Sequence, residues 1–509
     1  MRILIKGAGD LATGIACRLF KCGYEILMTD IAVPTAVRRT VSFSRAIYEG
    51  RAVVEDIESV YAGSINGFRY DELFEDKHSE VNSHSQEHMA LGQKSEEQTG
   101  SGAVELNNRI SRIISDEKIA VIVDEKGEIV PIFKPDVIVD AIIAKKNLGT
   151  KITDAPLVIG VGPGFTAGID CHCVVETKRG HYLGKVMYSG SAIPNTGVPG
   201  DIAGFTTERI IRATADGMFL PVKQIGDRVE AGDIVAKIIC DTTIVESADN
   251  DNIHIFASIP GIIRGMLQEG VQVHSGMKCG DIDPRCEQEH CYTVSDKARA
   301  IGGGVLEAVS RFERRRNGIG IVLLAAGEGK RYGSNKLLDV INGRRMFEST
   351  VDAAAEAFMD RINIDQGSGS VIVTGYDEIA EYAQNKGFMV VRNDRPELGI
   401  SESLKLGLLK LGGVPHSILF AVCDQPGLTA DSFRRLIDGY AASEMGLACM
   451  GQGLNLLGNP CIFSKKYFDE LMNLTGDKGG KRIIMAHKDD LKVIYASDLE
   501  LADIDIKPT

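Results

Sequence analysis

Apolar residues fall into two rhythms along this chain. Short runs with little polar interruption, at Arg2–Lys6, Tyr24–Thr29, Ala120–Val123, Asp136–Val139 and Leu157–Val161, have the composition of strands buried on both faces. Ala12–Phe20 and Ser295–Arg315 have helical spacing instead. From Gly318 the rhythms alternate. Ser370–Thr374, Phe388–Val391, Ser417–Cys423, Cys461–Ser464 and Leu491–Tyr495 read as strands. Between them Phe347–Ala357, Tyr376–Asn385, Ser401–Leu411, Asp431–Tyr440 and Lys466–Asn473 read as helices. This predicts an α/β fold whose C-terminal part is a largely parallel, doubly wound sheet with ligands at the carboxyl ends of its strands.

Two stretches depart from these rhythms. Residues 76–108 are rich in Ser, Glu and Gln and nearly free of large apolar side chains, which predicts a disordered insertion. His78, His84 and His88 fall within it and are read as solvated. Gly217–Ile238 is echoed by Gly261–Ile282 at a constant offset of 44, with Gly217/Gly261, Gln224/Gln268, Gly226/Gly270, Val229/Val273, Gly232/Gly276 and Ile238/Ile282 identical. Each copy sets a glycine turn before a short strand, so the pair predicts a small all-β sandwich. The expected organisation is a Rossmann-like domain over 1–75 and 109–205, the insertion, a repeat domain over 206–290, a helix and linker over 291–317, and a C-terminal domain over 318–509.

Composition narrows this little. With 44% hydrophobic and 25% charged residues the chain reads as globular, and a net charge of −13 argues against nucleic acid or an anionic membrane as main partner. The 11 scattered cysteines suit a reducing cytoplasm. The basic run Arg311–Arg316 reads as a solvated linker.

Candidate chemistry lies in the loops after strands. Gly7-Ala8-Gly9-Asp10-Leu11-Ala12 follows the first strand in the GxGxxA form of a dinucleotide turn. Gly7 makes the turn, Gly9 admits a phosphate, Ala12 packs helix on strand, and Asp30 ends the next strand at ribose-binding distance. A nucleotide site and a cofactor-free turn both fit. Arg38, Arg39 and Arg45 read as a solvated face. Gly162–Gly168 is either an anion cradle or a tight turn. Cys171-His172-Cys173 after it fits a metal or sulfur site, and equally core residues of a strand. Cys279, Cys286, His290 and Cys291 lack common zinc spacing. The densest signal is Leu323–Leu338, LLAAGEGKRYGSNKLL, where a strand gives way to Gly327, Gly329 and Gly333 among Lys330, Arg331 and Lys336. Clustered cations on a glycine-rich turn suit a triphosphate.

That string resembles the LAAGxSxRMGxxK signature of MobA-like nucleotidyltransferases, specifically molybdenum cofactor cytidylyltransferases, with Gly329 and Tyr332 departing from the common Ser and Met. The resemblance runs over residues 318–509. It implies CTP, favoured by Ala326, and the molybdopterin cofactor as substrates, with Mg2+ as cofactor. It places Leu324, Ala325, Ala326, Gly327, Gly329, Lys330 and Ser403 at the nucleotide, the last from Gly399–Gly407. It gives catalytic roles to Arg331, Lys336 and Asp424, the latter in Cys423-Asp424-Gln425-Pro426, where Cys423 replaces the usual Gly. Metal ligation falls to Asp424 with Asp503 or Asp505, and Gly458-Asn459-Pro460 and Gly476–Gly480 resemble the pterin-side and late-loop motifs. Residues 1–313, outside the polar insertion, resemble the YqeB family of the selenium-dependent molybdenum hydroxylase system through MRILIKGAGDLATGIA, RRTVSFSRAIYEG, PDVIVDAIIAKKNLGT, GPGFTAGIDCHCVVETKRGH and SDKARAIGGGVLEA. That likeness implies a maturation role toward a hydroxylase client. The repeat is similar to a biotinyl/lipoyl-type barrel-sandwich hybrid without the Met-Lys-Met hairpin. A non-catalytic docking protein and a sugar-phosphate nucleotidyltransferase are the alternatives.

Overall fold

A computed structural model of the chain describes residues 1–66, 96–195, 197, 202–240, 252–327, 335–341, 343–359, 369–412 and 415–504. The molecule divides after Val309 into two units, each with its own core.

The first unit is built on β1 (Arg2–Lys6), whose Ile3, Leu4 and Ile5 are fully buried. The chain turns into α1 (Asp10–Phe20), returns as β2 (Glu25–Asp30), makes a hairpin of β3 (Arg51–Val54) and β4 (Ile57–Ser64), and enters α2 (Glu96–Ser115). It continues through β5 (Ile119–Val123), β6 (Val137–Asp140), β7 (Leu157–Val161), β8 (Cys173–Val175) and β9 (Val186–Met187). The nine strands lie in the order β9-β8-β7-β6-β1-β2-β5-β4-β3, parallel except at the two outermost pairs. Strands are added first on one side of β1 and then on the other. The sheet therefore reverses its direction of growth at the carboxyl ends of β1 and β6, where open α/β sheets form a ligand crevice.

The segment read as disordered from 76 to 108 is corrected at its end, because residues 96–108 are the larger part of α2. Leu106 and Ile110 are buried, four residues apart on one face. Two buried anchors and the partly buried Ile113 and Ile114 suffice to fix a helix that is otherwise polar. The three histidines lie outside the described residues.

The 44-residue echo is a structural repeat. β11 (Gly217–Pro221), β12 (Arg228–Val229) and β13 (Ile234–Ile239) recur as β15 (Gly261–Met266), β16 (Gln272–Val273) and β17 (Lys278–Asp283). With β10 (Ile210–Arg212) and β14 (Asn252–Phe256) they form two antiparallel sheets, β10-β17-β15-β12 and β14-β13-β11-β16, over one shared core. Each copy places its short middle strand in the other copy's sheet. The repeat even reproduces a close contact. A side chain on Gly217 would fall 2.4 Å from the Ile239 carbonyl oxygen, and one on Gly261 2.7 Å from that of Asp283. α3 (Asp296–Asn317) follows.

In the second unit β18 (Ile319–Ala325) is wholly buried as an inner strand of a seven-stranded sheet. After it come α4 (Met346–Met359), β19 (Ser370–Thr374), α5 (Asp377–Asn385), β20 (Met389–Arg392), α6 (Ile400–Lys410), β21 (Ser417–Val422) and α7 (Ala430–Ala442). β22 (Leu447–Gly451), β23 (Leu457–Ser464), α8 (Lys481–Ala486), β24 (Leu491–Tyr495) and α9 (Asp498–Leu501) complete it. The order is β20-β19-β18-β21-β23-β22-β24, with β23 antiparallel to both neighbours, so the sheet is mixed on that side. The basic run is not a solvated linker. Arg311 donates to the Ser443 carbonyl, Arg315 to those of Tyr440 and Met445, and Arg316 pairs with Asp438 at 2.8 Å. These cations sit at the carboxyl end of α7, where the helix dipole favours them.

Candidate functional site

Parallel pairing of β18 with β21 puts their carboxyl ends side by side, with Cys423 N–H on the Leu324 carbonyl at 3.1 Å. Leu324, Ala325 and Ala326 are buried there, and the Ala325 carbonyl accepts from Thr374 Oγ1 at 2.9 Å. Gly327 accepts from the Tyr376 hydroxyl at 3.2 Å. Gly329, Lys330, Arg331 and Gly333 lie outside the described residues. The chain returns at Asn335, whose side chain accepts from Leu337 N–H and starts a 3-10 turn, Lys336–Leu338. That turn aims Lys336 back across the strand ends. Its Nζ lies 2.7 Å from Asp424 Oδ2, and both side chains are mostly buried. The other carboxylate oxygen of Asp424, Oδ1, is buried and has no hydrogen-bond partner among the described residues.

The C-terminal tail closes on the same place. Glu500 accepts from Ser432 Oγ at 2.5 Å and from Arg435, tying α9 to the start of α7. Burial pushes this carboxyl up, but bonds from Ser432 and Ser497 hold it below its ordinary range. The tail then crosses Asp424, with Ile504 N–H 3.3 Å from the Asp424 carbonyl. Asp503 thereby lines a cavity of about 330 Å³ with Gln425, Asn459, Cys461 and Lys481. Gln425 is 1% exposed, and its Oε1 has no partner among the described residues. Asp505 lies outside them.

A smaller cavity of about 90 Å³ joins Leu324, Ile400, Leu404, Asn459 and Lys481. Gly479 and Gly480 also line it, and their segment meets that of Ile400 where Ser401 N–H reaches the Gly476 carbonyl at 3.2 Å. Ser403 is not open to a ligand: it is buried, and its Oγ accepts from Asn393 Nδ2 at 2.9 Å. A larger cavity, about 440 Å³, is lined by Arg311, Arg315, His416 and Tyr440 at the amino end of β21. Its size does not make it the centre, since Arg311 and Arg315 already cap α7. Lys481, Gln425 and Cys461 were not singled out from the sequence as lining residues. Only their nearness to the glycine-rich and Asp424 motifs could have suggested them.

The other predicted sites are placed differently. Gly7 packs against Ala141, while the space around Gly9 is open and Ala12 is buried. Asp30 does not project toward a ribose; it accepts from Ala8 N–H at 3.0 Å and Ile31 N–H at 2.8 Å. Burial pushes this half-buried carboxyl up to about 6. Cys171 and Cys173 are fully buried, and burial lifts the Cys171 thiol to about 12, away from the thiolate that metal or sulfur chemistry needs. His172 Nδ1 accepts from Val158 N–H at 2.9 Å. Among the described residues no group of three or more His, Cys, Asp or Glu is placed to hold a metal, and no helix is long and apolar enough to cross a membrane.

Residues 321–491 match a family model described as the MobA-like NTP transferase domain. Over 307 residues, 60% of this chain, the protein is 41% identical to YqeB of Escherichia coli strain K12, an uncharacterized protein. The chain spans about half that relative, 47% of its length. The purine catabolism protein PucB of Bacillus subtilis strain 168 is 26% identical over 193 residues, 36% of this chain and 90% of PucB. Among solved structures, a nucleotidyl transferase from Methanothermobacter is 26% identical, with a TM-score of 0.31, covering 37% of this chain and 92% of that one.

Proposed function

We propose that this chain, a MobA-like nucleotidyltransferase domain joined to a YqeB-like region, is a molybdenum cofactor cytidylyltransferase. It would convert CTP and the molybdopterin cofactor into the cytidine dinucleotide cofactor and pyrophosphate. One observation carries the reading: Lys336 and Asp424 meet across the ends of β18 and β21, and Asp424 keeps a buried oxygen without a partner among the described residues. A phosphate oxygen of the pterin substrate attacks the α-phosphorus of CTP, the bond to the bridging oxygen of the β-phosphate breaks, and pyrophosphate leaves with those electrons. Such a transfer needs positioned cations rather than a protein nucleophile.

In this reading Lys336, Lys330 and Arg331 hold the triphosphate, with amides of Gly327 and Gly329. Leu324, Ala325 and Ala326 floor the nucleotide site, and Ser403 acts on it through Asn393. The Asp424 oxygen without a partner among the described residues, with the tail crossing Asp424 at Ile504, fits Mg2+, a hard cation that takes oxygen ligands, and Asp503 or Asp505 is the second ligand in this reading. Bound there, the ion would supply charge neutralisation to the phosphates. In its absence Lys336 and Asp424 neutralise each other. The cavity holding Gln425, Asn459 and Lys481 suits the second substrate: amides for a heterocycle and an ammonium for its phosphate. The N-terminal unit is read as a Rossmann-like sheet with a barrel-sandwich hybrid, serving a molybdenum hydroxylase client.

The test is pyrophosphate release from CTP, with molybdopterin and with sugar phosphates as acceptors. Molybdopterin-dependent release, lost in Lys336→Ala, supports the reading. Release with sugar phosphates alone makes the protein a sugar-phosphate nucleotidyltransferase, and no release with either leaves a docking protein.

A further inference from the structure

Distant stretches of the N-terminal unit converge on the first turn of α1. Asp10 opens this helix, no side chain caps it, and a side chain built on Gly9 would meet nothing within 4 Å. Arg38 brings its guanidinium to 3.5 Å from Asp10, on a segment docked by Ser44 N–H to the Ala8 carbonyl and Phe43 N–H to Thr13 Oγ1. β15 and β17 contribute Arg264 and Lys278, and α3 contributes Lys297. Lys278 and Lys297 both feel the charge of Asp10, and Arg264 that of Arg38.

The carboxylates nearby are already committed. Asp283 takes bonds of 2.9 and 2.6 Å from Arg285, Asp281 one of 2.6 Å from Arg209, and Asp296 two from Arg179. Glu176 accepts the amides of Thr177, Lys178 and Ile193. What remains is distant: Arg264 is 3.7 Å from Asp283 and Lys278 is 3.9 Å from Asp281. Lys297 makes no hydrogen bond or ion pair among the described residues. Arg38 uses one terminal nitrogen on the carbonyls of His290 and Thr293. The Nε atoms of Arg38 and Arg264 have no partner there, although each residue is only 7% exposed. Beyond two long ion pairs to carboxylates already bonded elsewhere, Arg38, Arg264, Lys278 and Lys297 have Asp10 between them, itself 3.5 Å from Arg38. Arg38 and Arg264 are buried, and buried charge is costly unless it is matched.

Burial pulls Arg264, Lys278 and Lys297 below their ordinary values, and neighbouring cations add to it: Arg38 for the first, Arg209 and Arg264 for the second, Arg179 for the third. Lys278 keeps 41% of its side chain exposed, so a solute can reach its ammonium from solvent.

We propose that this cation cluster is an anion site, taking the phosphate group of a ligand between Lys278, Lys297, Arg38 and the amides of the first turn of α1. The site is separate from the triphosphate grip of the C-terminal domain and does not depend on it.

Hydrogen exchange of the full chain, read by mass spectrometry, locates the binding. Inorganic phosphate and pyrophosphate are the probes, with sodium chloride at matched ionic strength as control. Exchange over residues 8–13 should slow with either probe and not with chloride. Lys297→Gln and Lys278→Gln, both at partly exposed positions without short bonds, should each raise the half-saturating concentration about tenfold, and Lys297→Arg should stay within about twofold of wild type. The proposal is overturned if neither probe protects residues 8–13, if chloride protects them equally, or if both glutamine variants bind as wild type does.

Discussion

At the scale of single residues, the pairing of Lys336 with Asp424 sets the sharpest expectations. Lys336→Ala should lower CTP-dependent turnover by about 100-fold or more, the scale for removing one group that stabilises developing charge. The fold should survive, because the lysine head reaches Asp424 at the carboxyl ends of the strands and not in the hydrophobic core. Asp424→Asn should raise the Mg2+ requirement, measured as the half-saturating concentration in the same assay, since an amide is a poorer ligand than a carboxylate oxygen. A third expectation concerns pH. The Asp30 carboxyl, pushed up to about 6 by burial, binds its proton more tightly folded than unfolded. Between about pH 4 and 6 the native state thus holds more protons, and this group makes stability fall as pH rises, by at most about 3 kcal/mol. Asp30→Asn keeps one amide acceptor and removes the titration. Thermal melts of wild type relative to this variant should lose ground from pH 4 to 6 and run parallel above. The glycine turn and Asp30 were legible as a pattern, but their use was not. The spacing of Asp30 suits a ribose, and only the fold shows it bonded to Ala8. Arg38 was equally opaque, because a sequence marks a cation without showing what buries it.

Among elements, legibility followed burial. β1, β7 and β19 lie where the apolar runs placed them, since a strand buried on both faces leaves a continuous signature. β22, Leu-Ala-Cys-Met-Gly, was missed because it is short and bounded by glycine. The β3–β4 hairpin was missed because half of its positions face solvent. α9 was missed as well, being one turn long, yet it positions the tail. It carries a capping box between Ser497 and Glu500, and the same Glu500 receives Ser432, itself part of the Thr429 capping box of α7. Glu500→Ala should therefore loosen two helix starts together. A loss of about 1–3 kcal/mol is expected from the melting temperature of the C-terminal domain. The apparent affinity for Mg2+ should weaken with it, because residues 501–504 are led across Asp424 from this anchor.

For the whole molecule, the sequence suggested a chain of several modules, whereas contacts gather it into two units that meet at Val309 and Ser310. The repeat reads as a separate domain because its period is its own, yet Val33 and Val37, from the loop after β2, pack on its core, and Met266 N–H bonds the Val37 carbonyl at 2.7 Å. A period in sequence reports how an element arose, while cooperativity is set by shared burial. Calorimetry of the full chain should accordingly show two transitions rather than one or four. Gly217→Val, at φ +151° with the Ile239 carbonyl 2.4 Å from the new Cβ, should lower the transition of the unit ending at Val309. The transition of residues 310–509 should stay in place. CTP with Mg2+ should do the opposite, raising the second by ligand linkage, about 2.7 kcal/mol at a hundred times the dissociation constant. If Gly217→Val shifts both transitions equally, the two units unfold as one body and the division at Val309 has no energetic meaning.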